Sequence, residues 1–251
     1  MRRRVHFVVV LICAAWLARG AGARQQDPRE VERVLFVGNS LTAFNNLPGL
    51  VEAMSRTTAG PILSSAAVVF PDHSLEDHWA RGDALRAIAR GGWSFVVLQQ
   101  GPSALPESQT LLRAYTKSFD QVIRKAGART ALYMVWPSRA RAQDRDGVSQ
   151  SYSAAARDVN ALLLPVGDVW RAAWQRDATL PLYADDGLHP SPMGSYLAAL
   201  VIYQGLTSRS PVGLPAAVAA TPGTAPIVIS AGQAKLLQEV ARGFDKRPPA
   251  P

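Results

Sequence analysis

Val34-Leu35-Phe36-Val37-Gly38-Asn39-Ser40-Leu41-Thr42 decides how this chain is read. Four apolar residues without alternation mark a strand buried on both faces, the kind found in parallel sheets. A glycine stops the run and a serine follows two residues later, so the strand delivers a hydroxyl to the edge of its sheet. Far downstream, Asp185-Asp186-Gly187-Leu188-His189-Pro190-Ser191 supplies acids and a histidine on what reads as one loop.

Working outward, the same pattern of short apolar runs recurs. Strands are expected at Ile62–Phe70, Ser94–Gln99, Thr130–Trp136 and around Leu163-Leu164. Helical spacing separates them: Pro48–Thr58 with its proline in the first turn, Gly82–Arg90, Glu107–Lys125 closed by Gly127, Val148–Leu162 and Asp168–Gln175. A helix from Pro192 to Leu206 and a last one from Ala231 to Phe244 complete the series, with a Pro-, Gly- and Thr-rich connection at 207–230. Apolar strands alternating with helices predict an α/β protein with a parallel sheet of about five strands, covered on both faces. One domain, residues 34–245, accounts for the pattern, preceded by a lead-in at 24–33 and followed by a proline-rich disordered tail at 246–251.

The N-terminus reads as targeting. Arg2-Arg3-Arg4 precede an apolar stretch from Val5 to Leu17, and Ala21-Gly22-Ala23 offers a small-residue cleavage site. That combination is a secretory signal peptide over residues 1–23, too short in its apolar part to anchor the chain in a bilayer. The expected location is secreted or periplasmic, with no stable membrane anchor after cleavage. Removing the segment takes four arginines and no acids, so the formal charge falls from +8 to +4. The single cysteine, Cys13, leaves with it, which excludes disulfides and thiolate metal sites from the rest of the chain. The remaining basic residues, Arg56, Arg139, Arg141 and Arg145 among them, read as scattered rather than arrayed with aromatics. Nucleic acid is therefore not an expected partner.

In an open parallel sheet, ligands bind beyond the carboxyl ends of the strands. Ser40 follows the first strand, Gln99 and Gln100 the third, and Asp186 and His189 the last. All fall on one rim. A serine hydroxyl is a weak nucleophile until a base takes its proton. His189 is that base, and Asp186, three residues earlier, fixes its tautomer; Asp185 should point elsewhere. His73 and His78 compete, in Pro71-Asp72-His73-Ser74-Leu75-Glu76-Asp77-His78-Trp79. His73, Asp77 and His78 could form a metal site, or the stretch could be a polar loop with a histidine capping a helix. The spacing matches no strong metal pattern, so the loop is the reading, and no metal or cofactor is expected. The absence of Gly-x-Ser-x-Gly argues against the α/β-hydrolase elbow, and no phosphate-binding glycine loop is present.

Gly38-Asn39-Ser40-Leu41 resembles the Gly-Asp/Asn-Ser-Leu block of the SGNH/GDSL hydrolase superfamily, and Asp186-Gly187-Leu188-His189-Pro190 resembles its Asp-x-x-His block. The resemblance spans about residues 34–205, but only the two blocks are specific. It implies a flavodoxin-like three-layer α/β/α fold and an esterase, lipase, thioesterase or carbohydrate deacetylase activity. It also implies roles: Ser40 nucleophile, His189 base, Asp186 its partner. The family's oxyanion hole takes the serine N–H, a glycine N–H after the second strand and an asparagine side chain after the third. Here Phe70-Pro71-Asp72-His73-Ser74 has no glycine, which makes the Asp72 N–H the candidate. Leu98-Gln99-Gln100-Gly101 has no asparagine, which makes the Gln99 or Gln100 amide the candidate. Branches with a Gln-rich third block and a Ser-Leu-x-x-His second block look similar. The expected function is hydrolysis of acyl esters, most simply O-acetyl, of a small molecule or polysaccharide. The alternative is a catalytically weakened carbohydrate-binding protein on the same fold.

Overall fold

The computed structural model describes residues 29–244, so the signal segment assigned to 1–23 and the tail assigned to 246–251 lie outside the described residues. In chain order the elements are β1 (Val31–Gly38), α1 (Ser40–Ala43), α2 (Leu47–Arg56), β2 (Ile62–Val69), α3 (Leu75–Arg81), α4 (Asp83–Ala89), β3 (Phe95–Leu98), α5 (Pro106–Lys125), β4 (Arg129–Tyr133), α6 (Arg145–Val159), β5 (Leu162–Leu164), α7 (Val166–Arg176), α8 (Pro192–Thr207), β6 (Ala217–Val218), β7 (Ile227–Val228) and α9 (Ala231–Arg242). Five strands form one sheet in the order β2-β1-β3-β4-β5, every pairing parallel. That is the flavodoxin-like order, whose reversal point falls at β1 and β3. The chain is thus an α/β protein of the expected three-layer kind.

Helix contacts divide the cover into two groups. On one side α3, α4 and α6 each meet α5; on the other α2, α7 and α9 each meet α8. The central strands β1 and β3 are buried on both faces, from Val34 to Val37 and Phe95 to Leu98. The edge strand β2 is half exposed, which is why it carries Ser64, Ser65, Ala66 and Ala67 instead of a Val/Ile run. Helix α8 is apolar all round, with Leu197, Ala198, Ala199, Leu200 and Ile202 all fully buried. A helix without a polar face has to be enclosed, and α8 sits among α2, α7, α9 and β5. Truncating Leu197 or Leu200 to alanine there would cost about 2–5 kcal/mol.

Three local features differ from the sequence reading. Strand β1 starts at Val31, inside the expected lead-in, because Val31, Glu32 and Arg33 pair with Ile62, Leu63 and Ser64 of β2. The stretch after Pro71 is not all loop. Ser74 accepts from the Asp77 N–H while the Asp77 carboxylate accepts from the Ser74 N–H, a capping box that starts α3. The connection at 207–230 holds a two-stranded antiparallel pair, β6 with β7. It is anchored by Gln238, whose amide donates to Leu214 O and Tyr196 Oη.

Candidate active site

Strand β1 ends at Gly38, and the chain turns at once into α1, with Asn39 as N-cap and Ser40 as the first helical residue. The Asn39 side chain accepts from the Leu41 N–H at 3.1 Å, which closes the turn. No larger residue fits at position 38. A Cβ there would lie 2.4 Å from Gln99 Oε1 and 2.5 Å from Thr42 Oγ1.

Across the cleft, the loop between α7 and α8 brings His189 to the serine. His189 Nε2 lies 2.8 Å from Ser40 Oγ, and its Nδ1 lies 2.5 Å from Asp186 Oδ2. The other carboxylate oxygen, Oδ1, accepts the N–H groups of Leu188 and His189, both at 2.9 Å. The bond from His189, together with those two backbone donors, holds the Asp186 carboxyl down at about 2. An ionised Asp186 assigns the Nδ1 proton to its side of the ring and leaves Nε2 to accept from the serine. The structure therefore brings Ser40, His189 and Asp186 into one hydrogen-bonded chain. Asp185, next to Asp186, makes no bond to His189.

Other residues hold that loop, and sequence reasoning missed them. The Phe44 ring stacks on the imidazole at 4.0 Å with 13° between planes. Asn45, in the left-handed region at φ 53°, donates to Pro190 O and Ser195 Oγ, and so ties the serine's segment to the histidine's. Trp136 Nε1 donates to Leu188 O at 3.0 Å, and Arg139 N–H donates to Gly187 O at 2.7 Å. The one faint signal in the sequence was Phe44-Asn45-Asn46, since paired asparagines favour left-handed backbone.

The third block differs from expectation. Gln99 is fully buried, and its Oε1 accepts from Asn39 N–H and Thr42 Oγ at 2.9 and 2.7 Å. Those donors fix which end of the amide is oxygen. Its Nε2 then donates to Asn39 Oδ1 and Gln100 O, at 3.0 and 2.7 Å. Gln100 is committed in the same way: Leu75 N–H bonds its Oε1, while its Nε2 bonds Ser103 Oγ and Ser108 O. Neither amide keeps an N–H for a substrate, which corrects the expectation that one of them would. They brace the serine's turn and the start of α3 instead.

Asp72 stands in the left-handed region at φ 58°, the conformation glycine adopts most easily and aspartate tolerates. Among the described residues, the N–H groups of Asp72 and Ser40 have no acceptor within the protein. Both residues line a cleft of about 490 Å³, together with His73, Gly101, Pro137 and Leu188.

The two competing histidines go separate ways. His73 Nδ1 donates to Pro71 O at 2.9 Å, and the Asp77 carboxylate is spent on the Ser74 N–H and Oγ. His78 is fully buried in α3 and donates its Nε2 proton to Gly38 O at 2.9 Å. Among the described residues no group of three or more His, Cys, Asp or Glu side chains is gathered as a metal would require. The arginines that read as scattered are not all so. Arg139 and Arg145 lie over the rings of Tyr183 and Trp174, brought together by folding from separate segments.

No protein-family model matches the chain. No curated protein matches it either. Solved structures do. An acetyl xylan esterase (AlAXEase) is similar in fold, with TM-score 0.54 and 16% identity over 68% of this chain and 98% of that one. A DUF4886 family protein from Bacteroides uniformis reaches TM-score 0.70 at 17% identity, over 85% of this chain and 94% of that one. A protein from Slackia heliotrinireducens assigned to the SGNH hydrolases is 30% identical, with TM-score 0.61, over 70% of this chain and its own entire length. At that identity over that much of both chains, the protein belongs to the SGNH hydrolases.

Proposed function

We propose that the protein is a serine esterase that removes acyl groups, O-acetyl above all, from carbohydrate. The observation that carries the reading is the run from Ser40 Oγ to His189 Nε2 at 2.8 Å and from Nδ1 to Asp186 at 2.5 Å. Ser40 Oγ attacks the ester carbonyl carbon as its proton passes to His189 Nε2. Negative charge collects on the carbonyl oxygen, where the free N–H groups of Ser40 and Asp72 receive it; each such donor is worth about 3 kcal/mol of barrier. Collapse breaks the bond to the alcohol oxygen, which takes the proton from His189. Water then repeats the sequence on the acyl-serine and releases the carboxylic acid. Asp186 stays ionised throughout and stabilises the imidazolium.

The likeness in fold to an acetyl xylan esterase supports acetyl as the group and a sugar as its carrier. The signal-like residues 1–23 support action outside the cytoplasm. Sequencing the N-terminus of the exported protein checks this, with Arg24 expected first.

Hydrolysis of 4-nitrophenyl acetate tests the chemistry. The purified protein should turn it over and be labelled by a fluorophosphonate, and Ser40→Ala should lower the rate by about 10⁴-fold or more. Full turnover in Ser40→Ala would overturn the mechanism. A protein inert to the probe that still binds an acetylated polysaccharide would be a binding protein on the same fold.

A further inference from the structure

Beside the loop that carries His189 lies a second cleft, of about 630 Å³, that the esterase reading does not use. Only a strip of chain divides it from the first. Pro137, Ser138 and Arg141 line the cleft at Ser40, while Arg139, between them, lines the other. Arg139 also closes on the active-site loop, since its N–H donates to Gly187 O.

The lining has a particular chemistry. The rings of Trp174 and Tyr183 stack with centroids 5.4 Å apart and planes 29° from parallel. The Arg145 guanidinium lies 5.4 Å from the Trp174 centroid, and that of Arg139 lies 5.3 Å from the Tyr183 centroid. Arg171, on the same wall, is matched by Asp146 at 2.6 Å. Among the described residues, Arg139 and Arg145 have no carboxylate partner. Two unmatched guanidiniums held on aromatic faces are a site for a flat or ring-shaped group with negative charge. A planar guanidinium binds a carboxylate through two parallel N–H···O bonds, and the half-buried Trp174 indole, the more open of the two rings, offers apolar surface beside it.

We propose that this cleft is a subsite for a carboxylated pyranose, a uronic acid unit of an anionic polysaccharide whose acetylated unit lies at Ser40. The assignment of the neighbouring unit rests on the esterase reading; the binding itself does not. A nucleic acid strand fits less well. It carries a charge at every step and tracks a continuous basic groove, whereas beyond its three arginines the lining of this cleft is uncharged, Leu180, Pro181 and Leu182 among it.

Calorimetric titration of the full chain tests the subsite, with short oligogalacturonate, neutral xylo-oligosaccharide and a single-stranded oligonucleotide as three separate probes. Oligogalacturonate should bind at least about tenfold tighter than either of the others. Arg139→Gln and Arg145→Gln should each weaken it by about tenfold, and Trp174→Ala by a similar factor. Equal affinity for the neutral sugar overturns the proposal. So does unchanged binding in both arginine variants, or an oligonucleotide that binds as tightly. Should Trp174→Ala fail to fold, the two surface arginine variants still decide. Ser40-dependent turnover of 4-nitrophenyl acetate without uronate binding would sink the subsite and spare the esterase. Uronate binding by a protein inert to that ester would do the reverse.

Discussion

Around Ser40 the supporting groups are buried and bonded to one another: Asn39, Thr42, Gln99 and Gln100 are all less than a tenth exposed. Around His189 the functional groups themselves are more open. The imidazole is 19% exposed and the Asp186 carboxylate 48%, on a loop held by Phe44, Asn45, Trp136 and Arg139 from four sides. The Ser40 hydroxyl is therefore set by the fold itself, and its geometry should fail only when the fold weakens. The His189 imidazole is set by a handful of contacts from segments distant in sequence, so its geometry should fail while the fold stands. Stability and activity ought to separate along that line.

Asp186→Asn is the sharpest way to break the comparison on the exposed side. Asparagine keeps an oxygen for the Leu188 and His189 N–H groups but turns an NH₂ toward Nδ1, which forces the wrong tautomer on His189. Turnover of 4-nitrophenyl acetate should fall by about 10²- to 10⁴-fold, with the melting temperature within about 2 °C of the parent. Because the Asp186 carboxyl sits at about 2, it stays charged from there to neutral pH. Its folded value lies below the ordinary carboxylate value of about 3.9, so the pairing is intact above that and lost as pH falls toward 2. A rate limb between pH 3 and pH 5 that vanished in Asp186→Asn would contradict this.

Gln99→Leu probes the buried side. It leaves Asn39 N–H, Asn39 Oδ1 and the Thr42 hydroxyl without their buried partner, a loss of about 2–4 kcal/mol. Thermal denaturation should show a melting temperature lower by about 5–10 °C, with activity falling alongside it. An unchanged melting temperature would mean that the two halves do not differ as described.

Much of this was legible beforehand, and the reasons are physical. The strands at Val34–Val37 and Phe95–Leu98 carry the parallel sheet because burial on both faces demands unbroken apolar runs. That Ser40, Asp186 and His189 would meet was visible because each stands at the end of an element on the same rim of the sheet. Gln99 was noticed but misassigned: a glutamine after a buried strand looks the same whether its amide faces a substrate or a neighbouring turn. Phe44 and Asn45 left almost no trace, since their roles depend on a loop distant in the chain. The pairing of Arg139 and Arg145 with Tyr183 and Trp174 could not be read at all, because folding alone brings those segments together.

Phe44→Ala returns to the exposed side with a smaller effect. Losing one face of the imidazole is worth about 0.5–1.5 kcal/mol, so kcat should drop about three- to tenfold. Little change is expected in the melting temperature, because Phe44 is itself well exposed. A loss as large as that of Asp186→Asn would mean the ring is the main support of His189.

The smallest effect is expected at His78, and it reads the buried half through pH. Its imidazole donates to Gly38 O, the carbonyl just before the Asn39-Ser40 turn, and Phe70 N–H shares that acceptor at 3.2 Å. Burial, partly opposed by the bond to Gly38, holds its pKa below the ordinary histidine value. Below about pH 6.5 the unfolded chain therefore binds a proton that the folded one refuses, so stability declines as pH falls through that value. The decline continues until the buried imidazole itself protonates. Glutamine places an amide nitrogen at about the reach of Nε2 and does not titrate. His78→Gln should keep the donor to Gly38 and flatten the fall in melting temperature between pH 8 and pH 5. Comparing the two slopes removes what the other titrating groups contribute to both proteins. Parallel slopes would place His78 outside the proton balance of folding and leave the serine's half of the site indifferent to pH.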